Sequence, residues 1–292
     1  MQAAADSLTA APDGGVPRDP LRSASRENFP VASRLIRRDL RPAVLAFYRF
    51  ARAADDVADA PSLTADHKLA RLAAFEGGLK GEAGDPHALA LRRALDGHPG
   101  RDPMLASAAK LLSAFRQDAQ GARYPDWAAL CAYCARSADP VGRFLLELHG
   151  EDVSTHAPSD ALCTALQVLN HLQDLRTDRD ALGRVYLPAD WLAEAGSRPE
   201  DLSAPSLSPE ARAAVDRTLD ACDGLLREAA PLPGLIRSRG LRAQAAATLF
   251  LARRLAVRLR RGDSLAGRVR PTALDFARAG ALGLWRGTWR AR

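Results

Sequence analysis

The sequence has no apolar run near the roughly 20 residues that a membrane-spanning helix requires. Its N-terminal segment also lacks the basic stretch and apolar core of a signal peptide. Because residues 1–24 are rich in alanine, glycine and proline, we expect them to be disordered. No run of lysine and arginine with interleaved aromatic residues occurs, which makes nucleic acid the weakest candidate partner. We expect a cytoplasmic protein whose closest approach to a bilayer is peripheral contact at the inner face of the plasma membrane.

Lysine and cysteine are both scarce. Only three of the 41 basic residues are lysines, so the net charge of +6 comes from arginine, which is well suited to binding phosphate. That charge is compatible with nucleic acid, an anionic membrane or a phosphorylated small molecule. Cys131 and Cys134 form a lone C-x-x-C, but a zinc site would need a second pair or nearby histidines. We therefore expect reduced cysteines, as in a cytoplasmic protein.

Segments of alternating β-branched residues are missing too, so strands have no good candidates. Apolar residues instead recur at helical spacing from about residue 39, where Asp39 is a plausible cap and Pro42 falls early in the first helix. Further periodic segments, divided by proline and glycine, cover about 65–80, 86–97, 103–120, 125–149, 158–180, 208–230, 240–262 and 271–288. With no internal repeat, the pattern predicts a single all-α domain over residues 25–292 with a large bundle core.

An acidic stretch, ARAADDVAD, ends the first predicted helix. Asp55 and Asp59 are four residues apart and share one helix face, while Asp56 is rotated by about 100° from Asp55. Arg52 lies one turn before Asp55, and Tyr48 lies one turn before Arg52. The spacing therefore predicts a helix face that presents a tyrosine, an arginine and two carboxylates.

A second polar face follows on a later helix and consists of Gln167, Asn170, Asp174 and Asp178. Taken alone, either cluster fits a solvated helix face better than a functional site. Both helices are otherwise apolar, however, and unpaired carboxylates are costly to bury in core helices. Two such faces confronting each other across a cavity would need divalent cations between them. Ligands that are all oxygen favour Mg²⁺ shared with substrate phosphates.

This arrangement suits the ionisation of an allylic or cyclopropylcarbinyl diphosphate. Mg²⁺ and arginines neutralise the charge that builds up on the leaving diphosphate, which lowers the barrier to carbocation formation. The apolar faces of the same helices would wall a cavity that keeps water away from the cation.

The two acidic motifs, DDVAD at 55–59 and NHLQDLRTD at 170–178, are followed by GRVYLP at 183–188. With this order and spacing, about residues 25–260 resemble the squalene/phytoene synthase family. The resemblance implies an isoprenoid-synthase-type helical bundle with a central apolar cavity. Within the family the chain looks most like the bacterial HpnC type, the hydroxysqualene synthases of hopanoid pathways. That finer resemblance rests on ENFPVAS at 27–33, YCARSADPVGRFLLELHG at 133–150 and NHLQDLRTDRDALGRVYLPADWL at 170–192.

The resemblance also implies roles for individual residues. The Mg²⁺ ligands would be Asp55, Asp59, Asn170, Asp174 and Asp178. The substrate contacts would be Ser25, Asn28, Phe29, Tyr48, Arg52, Gln167 and Arg184. The catalytic residues would be Arg52, Asp55, Asp59, Asp174 and Tyr186. For Tyr186 the alternative is a loop-packing role, and Phe29 and Phe47 fit a cavity wall or plain core better than catalysis.

Two departures from the family pattern occur. Gln173 stands where condensing relatives more often have an arginine, so one diphosphate contact is missing. Near Leu249 and Phe250 the family often has a tyrosine, and here there is none. Both departures would fit an enzyme that handles one diphosphate per cycle, or a drifted homologue with weak activity. His171 is predicted to point to a different face from Asn170 and to be structural.

By the same resemblance, the substrate would be presqualene diphosphate, and water would quench its cation to give hydroxysqualene. We expect no NADPH requirement. No G-x-G-x-x-G motif follows a strand, although the family's NADPH users lack that domain as well. Other enzymes of the squalene pathway would be partners.

Three alternatives remain at this point. The first is a condensing synthase that joins two prenyl diphosphates into presqualene diphosphate, squalene or phytoene. The second is a non-catalytic assembly subunit that has kept the fold. The third is a peripheral membrane module, because GALGLWRGTWRAR at 280–292 pairs tryptophans with arginines, as interfacial segments do. A C-terminal helix that packs one side on the bundle would show the same pattern.

Overall fold

The computed structural model describes residues 35–121 and 123–288. Over those residues the chain forms helices and connecting turns without a strand, which confirms the all-α prediction. The helices are α1 (Arg41–Asp59), α2 (Ala65–Lys80), α3 (Pro86–Ala94), α4 (Arg101–Ala119), α5 (Trp127–Ser137), α6 (Asp139–Leu148), α7 (His156–Gln173), α8 (Leu175–Leu182), α9 (Ala189–Glu194), α10 (Pro209–Glu228), α11 (Leu232–Leu235), α12 (Arg239–Arg261) and α13 (Ala273–Thr288). Short 3₁₀ segments at Val153–Thr155 and Pro199–Ser203 precede α7 and α10. The segment predicted to be disordered, residues 1–24, lies outside the described residues.

The first helix starts without the predicted cap. Leu40 occupies the cap position with helical backbone angles, and Asp39 forms an ion pair with Arg37 at 2.5 Å instead. Pro42 lies in the first turn, as expected. The prediction of an Asp39 cap is wrong for two reasons. Leu40, the next residue, holds the cap position, and the Asp39 carboxylate pairs with Arg37.

Two predicted helices are each divided in two. The segment at 125–149 breaks at Ala138, whose φ of −122° leaves the helical region, and Pro140 lies in the first turn of the next helix. The segment at 158–180 breaks at Asp174, where φ is −100° and ψ is 13°. The backbone N–H groups of Asp174 and Asp178 still donate to carbonyls four residues earlier, at 2.9 and 2.8 Å. The predicted stacking of the second polar face is therefore kept across the break.

Two groups of buried side chains divide the bundle. The N-terminal core joins α1 to α4 and includes Phe47, Phe50 and Phe75. The C-terminal core joins α5, α7, α10 and α12. Helix α6 contributes to both, because Phe144 belongs to the N-terminal core and Leu146 to the C-terminal core. The two acidic motifs thus lie on helices of different cores, and they face each other where those cores meet.

Packing between α6 and α1 gives a test of this division. Phe144 is fully buried and stacks on Phe47 with ring centroids 4.0 Å apart. We expect Phe144→Ala to lower the free energy of unfolding by about 3–5 kcal/mol, because it removes buried apolar area and leaves a cavity. Urea unfolding followed by circular dichroism measures the change. Val153→Ala is the control, since Val153 is 72% exposed; equal losses in both variants would contradict a core position for Phe144.

Candidate active site

A cavity of about 500 Å³ lies at the junction of the two cores. Every predicted site residue within the described chain lines it: Tyr48, Arg52, Asp55, Asp59, Gln167, Asn170, Asp174, Asp178, Arg184 and Tyr186. The fold therefore brings together two polar faces that are far apart in the sequence. Ser25, Asn28 and Phe29 lie outside the described residues. The catalytic and binding roles of all these residues remain predictions.

Helix α1 presents its polar face to the cavity because its apolar face is buried. Phe47, Phe50 and Ala54 are among the buried side chains, and they fill the N-terminal core. Phe47 is thus a core residue. Asp56 falls outside the cavity lining, as its 100° rotation predicts. Its side chain is 60% exposed and pairs with Arg52 Nη2 at 2.9 Å.

On the α1 side of the cavity, each carboxylate has an arginine partner. Arg52 Nη1 lies 3.3 Å from Asp55 Oδ2. Arg184, from the loop after α8, places Nη1 2.7 Å from Asp59 Oδ1. The Arg184 side chain is only 11% exposed, so this pair is shielded from water. An arginine predicted to bind substrate thus bridges the two motifs in the folded chain.

On the opposite side, Arg268 from the α12–α13 loop binds Asp174 through two bonds, Nε to Oδ1 at 2.8 Å and Nη2 to Oδ2 at 2.9 Å. No local pattern in the sequence points to Arg268 as a site residue. Gln173 is buried and donates its amide to the carbonyl of Val269, which holds this loop in place. The glutamine that replaces the family's cation therefore anchors a loop that brings another cation to Asp174.

Burial raises carboxyl pKa values in the cavity. Burial, with a further contribution from the negative charge of Asp59, raises the pKa of Asp55 from 3.8 to about 7, although Arg52 opposes the shift. The Asp55 side chain remains 37% exposed, so protein surrounds it without sealing it from water. Burial also raises the pKa of Asp174 despite its contact with Arg268. The arginines therefore do not fully offset the acids, and additional positive charge would be stabilising there.

Asp118 is a further acidic wall residue that sequence reasoning missed. It lies near the end of α4 and is buried, and it accepts a hydrogen bond from Tyr133 Oη at 2.9 Å. Burial raises its pKa, while the nearby Arg184 guanidinium opposes the shift. The signal was present in the sequence, because Leu111, Phe115 and Asp118 follow one helical stripe. A carboxylate that continues an apolar stripe points toward a cavity or the core.

His171 lines the cavity, which corrects the expectation that it points away from the site. Its ring stacks on Tyr186 with centroids 3.5 Å apart and planes 9° apart. Its Nδ1 lies 3.4 Å from Asp178 Oδ2, and its Nε2 lies 3.1 Å from Gln167 Nε2. The reason for the difference is the loop after α8, which folds back over α7. A helical-wheel projection of α7 alone does not include that loop.

Tyr186 packs the loop and also reaches the cavity, and its catalytic role stays a prediction. It is 4% exposed and stacks on Tyr124 as well as on His171, so it packs the loop. It also lines the cavity. Burial raises the pKa of its hydroxyl, which stays protonated at physiological pH and can donate a hydrogen bond.

An apolar cavity of about 160 Å³ adjoins the acidic one. It lies between α6, α7, α11 and α12, and its walls include Leu145, Leu162, Leu166 and Leu241. Val141 lines both cavities. A ligand with a charged head and a hydrocarbon tail would thus find carboxylates and arginines at one end and leucines at the other.

The chain matches the squalene/phytoene synthase family over residues 22–275. The chain belongs to the squalene/phytoene synthase family. It is 40% identical to the hydroxysqualene synthase of Zymomonas mobilis over 83% of this chain and 82% of that protein. It is 41% identical to the hydroxysqualene synthase of Rhodopseudomonas palustris over 86% and 85% of the two chains. These relatives indicate an enzyme of the family and confirm the resemblance to the HpnC type.

A solved structure confirms the fold. The squalene synthase HpnC from Alicyclobacillus acidocaldarius superposes with a TM-score of 0.70 and 31% sequence identity, covering 83% of this chain and 92% of that one. The isoprenoid-synthase-type bundle that the resemblance implies is therefore the fold of this chain.

The donor set of the cavity fits the Mg²⁺ expected from the family's chemistry. Asp55 and Asp59 on one wall, and Asn170, Asp174 and Asp178 on the other, offer only oxygen ligands, which Mg²⁺ prefers. Within the described part of the chain, no three histidine, cysteine, aspartate or glutamate side chains are grouped closely enough to hold an ion alone. Because Mg²⁺ commonly takes one or two carboxylates and completes its shell with water and phosphate oxygens, the arrangement suits ions that bind together with a diphosphate.

The raised pKa of Asp55 predicts how the metal-free protein responds to pH. Asp55 has a pKa of about 7 when folded against 3.8 as the unperturbed value, so the folded chain binds the proton more tightly. The free energy of unfolding in EDTA should therefore fall as the pH rises from about 4 to about 7. Asp55→Asn removes this loss, and near pH 8 we expect it to be about 1–2 kcal/mol more stable than the parent, allowing for screening at its exposed part.

Urea unfolding near pH 5 and near pH 8 measures this difference. Asp56→Asn is the matched control, because it removes the neighbouring carboxylate, whose side chain is 60% exposed. A pH response of the same size in both variants would show that burial of Asp55 is not its cause.

Proposed function

We propose that this enzyme converts presqualene diphosphate to hydroxysqualene with release of diphosphate, a step in squalene and hopanoid biosynthesis. The observation that carries the proposal is one cavity with carboxylates on two opposite walls that adjoins a second, apolar cavity. Identities of 40% and 41% to hydroxysqualene synthases over most of the chain support this reaction over others of the family. The reaction would use Mg²⁺ and no NADPH.

The enzyme would act in the cytoplasm, at the inner face of the plasma membrane. Both the substrate and the product are C30 lipids, so exchange with a bilayer would limit their exposure to water. Other squalene-pathway enzymes would supply the diphosphate and consume the alcohol.

Head-group binding follows from the positions of the acids and arginines. The residues that would hold Mg²⁺ are Asp55, Asp59, Asn170, Asp174 and Asp178. When bound, Mg²⁺ supplies positive charge for the leaving diphosphate. Arg52 and Arg184 line the same cavity, and their guanidinium groups can donate to phosphate oxygens. Gln167 and Tyr48 would add hydrogen bonds that orient the head group.

The reaction breaks the bond between the cyclopropylcarbinyl carbon and the diphosphate oxygen, and the electron pair leaves with the diphosphate. The cyclopropane ring opens to give an allylic C30 cation. The oxygen of one water bonds to that cation, and a proton is released to solvent. Leu111, Phe115 and Val141 line the cavity beside the acids and would keep other water away from the cation.

The two departures from the family pattern differ in how far they bear on the choice between this reaction and a condensing one. Leu249 and Phe250 line a groove against α13 and not the acidic cavity, so the missing tyrosine there leaves the head-group site unchanged. Gln173 is buried and engaged with Val269, so no cation from position 173 reaches a second diphosphate. This second departure favours one diphosphate per cycle over the condensing alternative.

Product analysis tests the proposed reaction. Purified protein with Mg²⁺ and without NADPH should convert presqualene diphosphate to hydroxysqualene. In water enriched in oxygen-18, the new hydroxyl should carry the label, because water supplies its oxygen. Mass spectrometry detects both the product and the label.

Farnesyl diphosphate in a parallel reaction is the control for the condensing alternative. No turnover is expected. Presqualene diphosphate or a C30 hydrocarbon from that tube would assign the protein to the condensing branch, and an unlabelled alcohol in the first tube would contradict quenching by water.

Variants of the acidic motifs test the site. Asp55→Asn and Asp174→Asn should each lower kcat by about 100-fold or more, because each removes a carboxylate that would hold Mg²⁺ beside the leaving diphosphate. Asp56→Asn should stay within about threefold of the parent, since Asp56 points away from the cavity. Steady-state release of diphosphate measures all three. A loss of activity in Asp56→Asn as large as in Asp55→Asn would mean that the acidic stretch acts through its net charge and not through the cavity.

A further inference from the structure

Positive charge is concentrated at the C-terminal end of the chain. Residues 236–292 contain fourteen arginines and two aspartates, a net charge of +12. The remaining residues contain 27 basic and 33 acidic side chains, a net charge of −6, and the whole chain carries +6. Asp275 is buried against Arg254 and Arg258, at 2.9 and 2.7 Å, and Asp263 accepts three backbone hydrogen bonds. Arg260 and Arg268 are paired with carboxylates of other elements, whereas Arg261, Arg270 and Arg278 are exposed, so part of the excess positive charge lies at the surface.

Helix α13 exposes an apolar face within this segment. Its outer face consists of five apolar residues and the terminal Thr288, which are all exposed and fall within an arc of about 100°; the apolar residues are Leu274, Ala277, Ala281, Leu284 and Trp285. Leu274, Leu284 and Trp285 are 57%, 65% and 50% exposed. No carboxylate lies in that arc. A solvated helix face normally carries charged side chains, so this composition indicates a binding surface.

The opposite side of α13 is fixed to α12. A Cβ at Gly283 would lie 2.8 Å from the carbonyl oxygen of Ala243, so glycine is needed for this close approach. The ion pairs of Asp275 with Arg254 and Arg258 hold the start of α13 to the same helix. Helix α13 therefore packs one side on the bundle, as the sequence allowed, and the outer face is turned away from it.

Arg278 borders the outer face. Arg286 projects from the side of α13 that faces α12, where it lines a groove with Leu249 and Phe250, but it is exposed and its guanidinium carbon reaches to 5.2 Å from the centroid of the Trp285 ring. Apolar side chains flanked by arginines are typical of helices that lie in the interfacial plane of a membrane. No helix in the described part of the chain is long and apolar enough to cross one.

We propose that the outer face of α13 docks on an anionic lipid bilayer, with the helix parallel to the surface and Arg278 and Arg286 on lipid phosphates. A nucleic acid would use the same charge but would leave Leu274, Leu284 and Trp285 in water, so the apolar side chains favour lipid. Docking does not depend on the proposed reaction. It would bring the enzyme to the bilayer with which, under the proposed function, the lipid substrate and product exchange. Helix α12 alone separates α13 from the apolar cavity, and packed helix axes are about 8–10 Å apart.

Vesicle sedimentation of the purified full-length protein tests the proposal. We expect binding to vesicles that contain phosphatidylglycerol and about tenfold weaker binding to pure phosphatidylcholine. Leu284→Ser/Trp285→Ser should weaken binding to the anionic vesicles by about tenfold or more, because it removes the inserted apolar area. Arg278→Glu/Arg286→Glu should do the same through charge. Arg71→Glu/Arg93→Glu is the matched control, since it changes net charge equally at exposed positions of α2 and α3.

Several results would overturn the proposal. They are no binding to either vesicle, the same binding by all variants, or binding to an RNA oligonucleotide but not to vesicles. A dimer in light scattering that Leu284→Ser/Trp285→Ser converts to a monomer, with vesicle binding unchanged, would make the outer face a contact between copies. Turnover of detergent-solubilised presqualene diphosphate should be the same in the parent and the docking variants. That readout separates failure of docking from failure of the proposed reaction.

Discussion

Repulsion between carboxylates that share one cavity is the constraint on which the rest of the site depends. Asp55 and Asp59 come from one core, and Asp174 and Asp178 from the helices of the other. Burial raises the pKa of Asp55 to about 7, so the fold holds an acid where its charged form is unfavourable. The counter-charges come from α1, from the loop after α8 and from the α12–α13 loop. Their positions fix much of the surrounding architecture.

Breaks in the helices build the walls of that cavity. Helix α7 ends just before Asp174, and α8 ends just before Gly183, whose φ of +64° favours glycine and turns the chain back. The returning loop places Arg184 against Asp59 and stacks Tyr186 on His171. A continuous helix from residue 158 to 180 would carry this loop away from α1. The departure from regular periodicity is thus what closes the site.

Helical periodicity accounts for what the sequence predicts well. Residues on one face of α1, and on one face of α7 and α8, were identified from spacing alone, because stacking at three and four residues is a local property. Contacts between residues that are far apart in the sequence cannot be predicted from helical spacing. Arg268 meets Asp174 across 94 residues, and neither its loop nor its direction follows from any local pattern. The same holds for His171, whose neighbours depend on a loop that folds over it, and for Asp118, whose environment is made by Tyr133 and Arg184.

The ion pairs of the cavity differ in exposure, and this difference indicates at which end of the cavity a diphosphate would bind. Arg184 is 11% exposed, whereas Arg268 and Arg52 are 44% and 56% exposed. Exposed ion pairs contribute only about 0–1 kcal/mol to stability, so they break readily. Separating the shielded pair would instead leave a buried charge without a partner. Arg52 and Arg268 can therefore leave their carboxylates for phosphate oxygens, whereas Arg184 would keep its bond to Asp59 and donate to phosphate only through its remaining N–H groups. A diphosphate would then bind toward the exposed arginines. Its hydrocarbon chain would extend inward past Val141, the residue that the acidic and apolar cavities share.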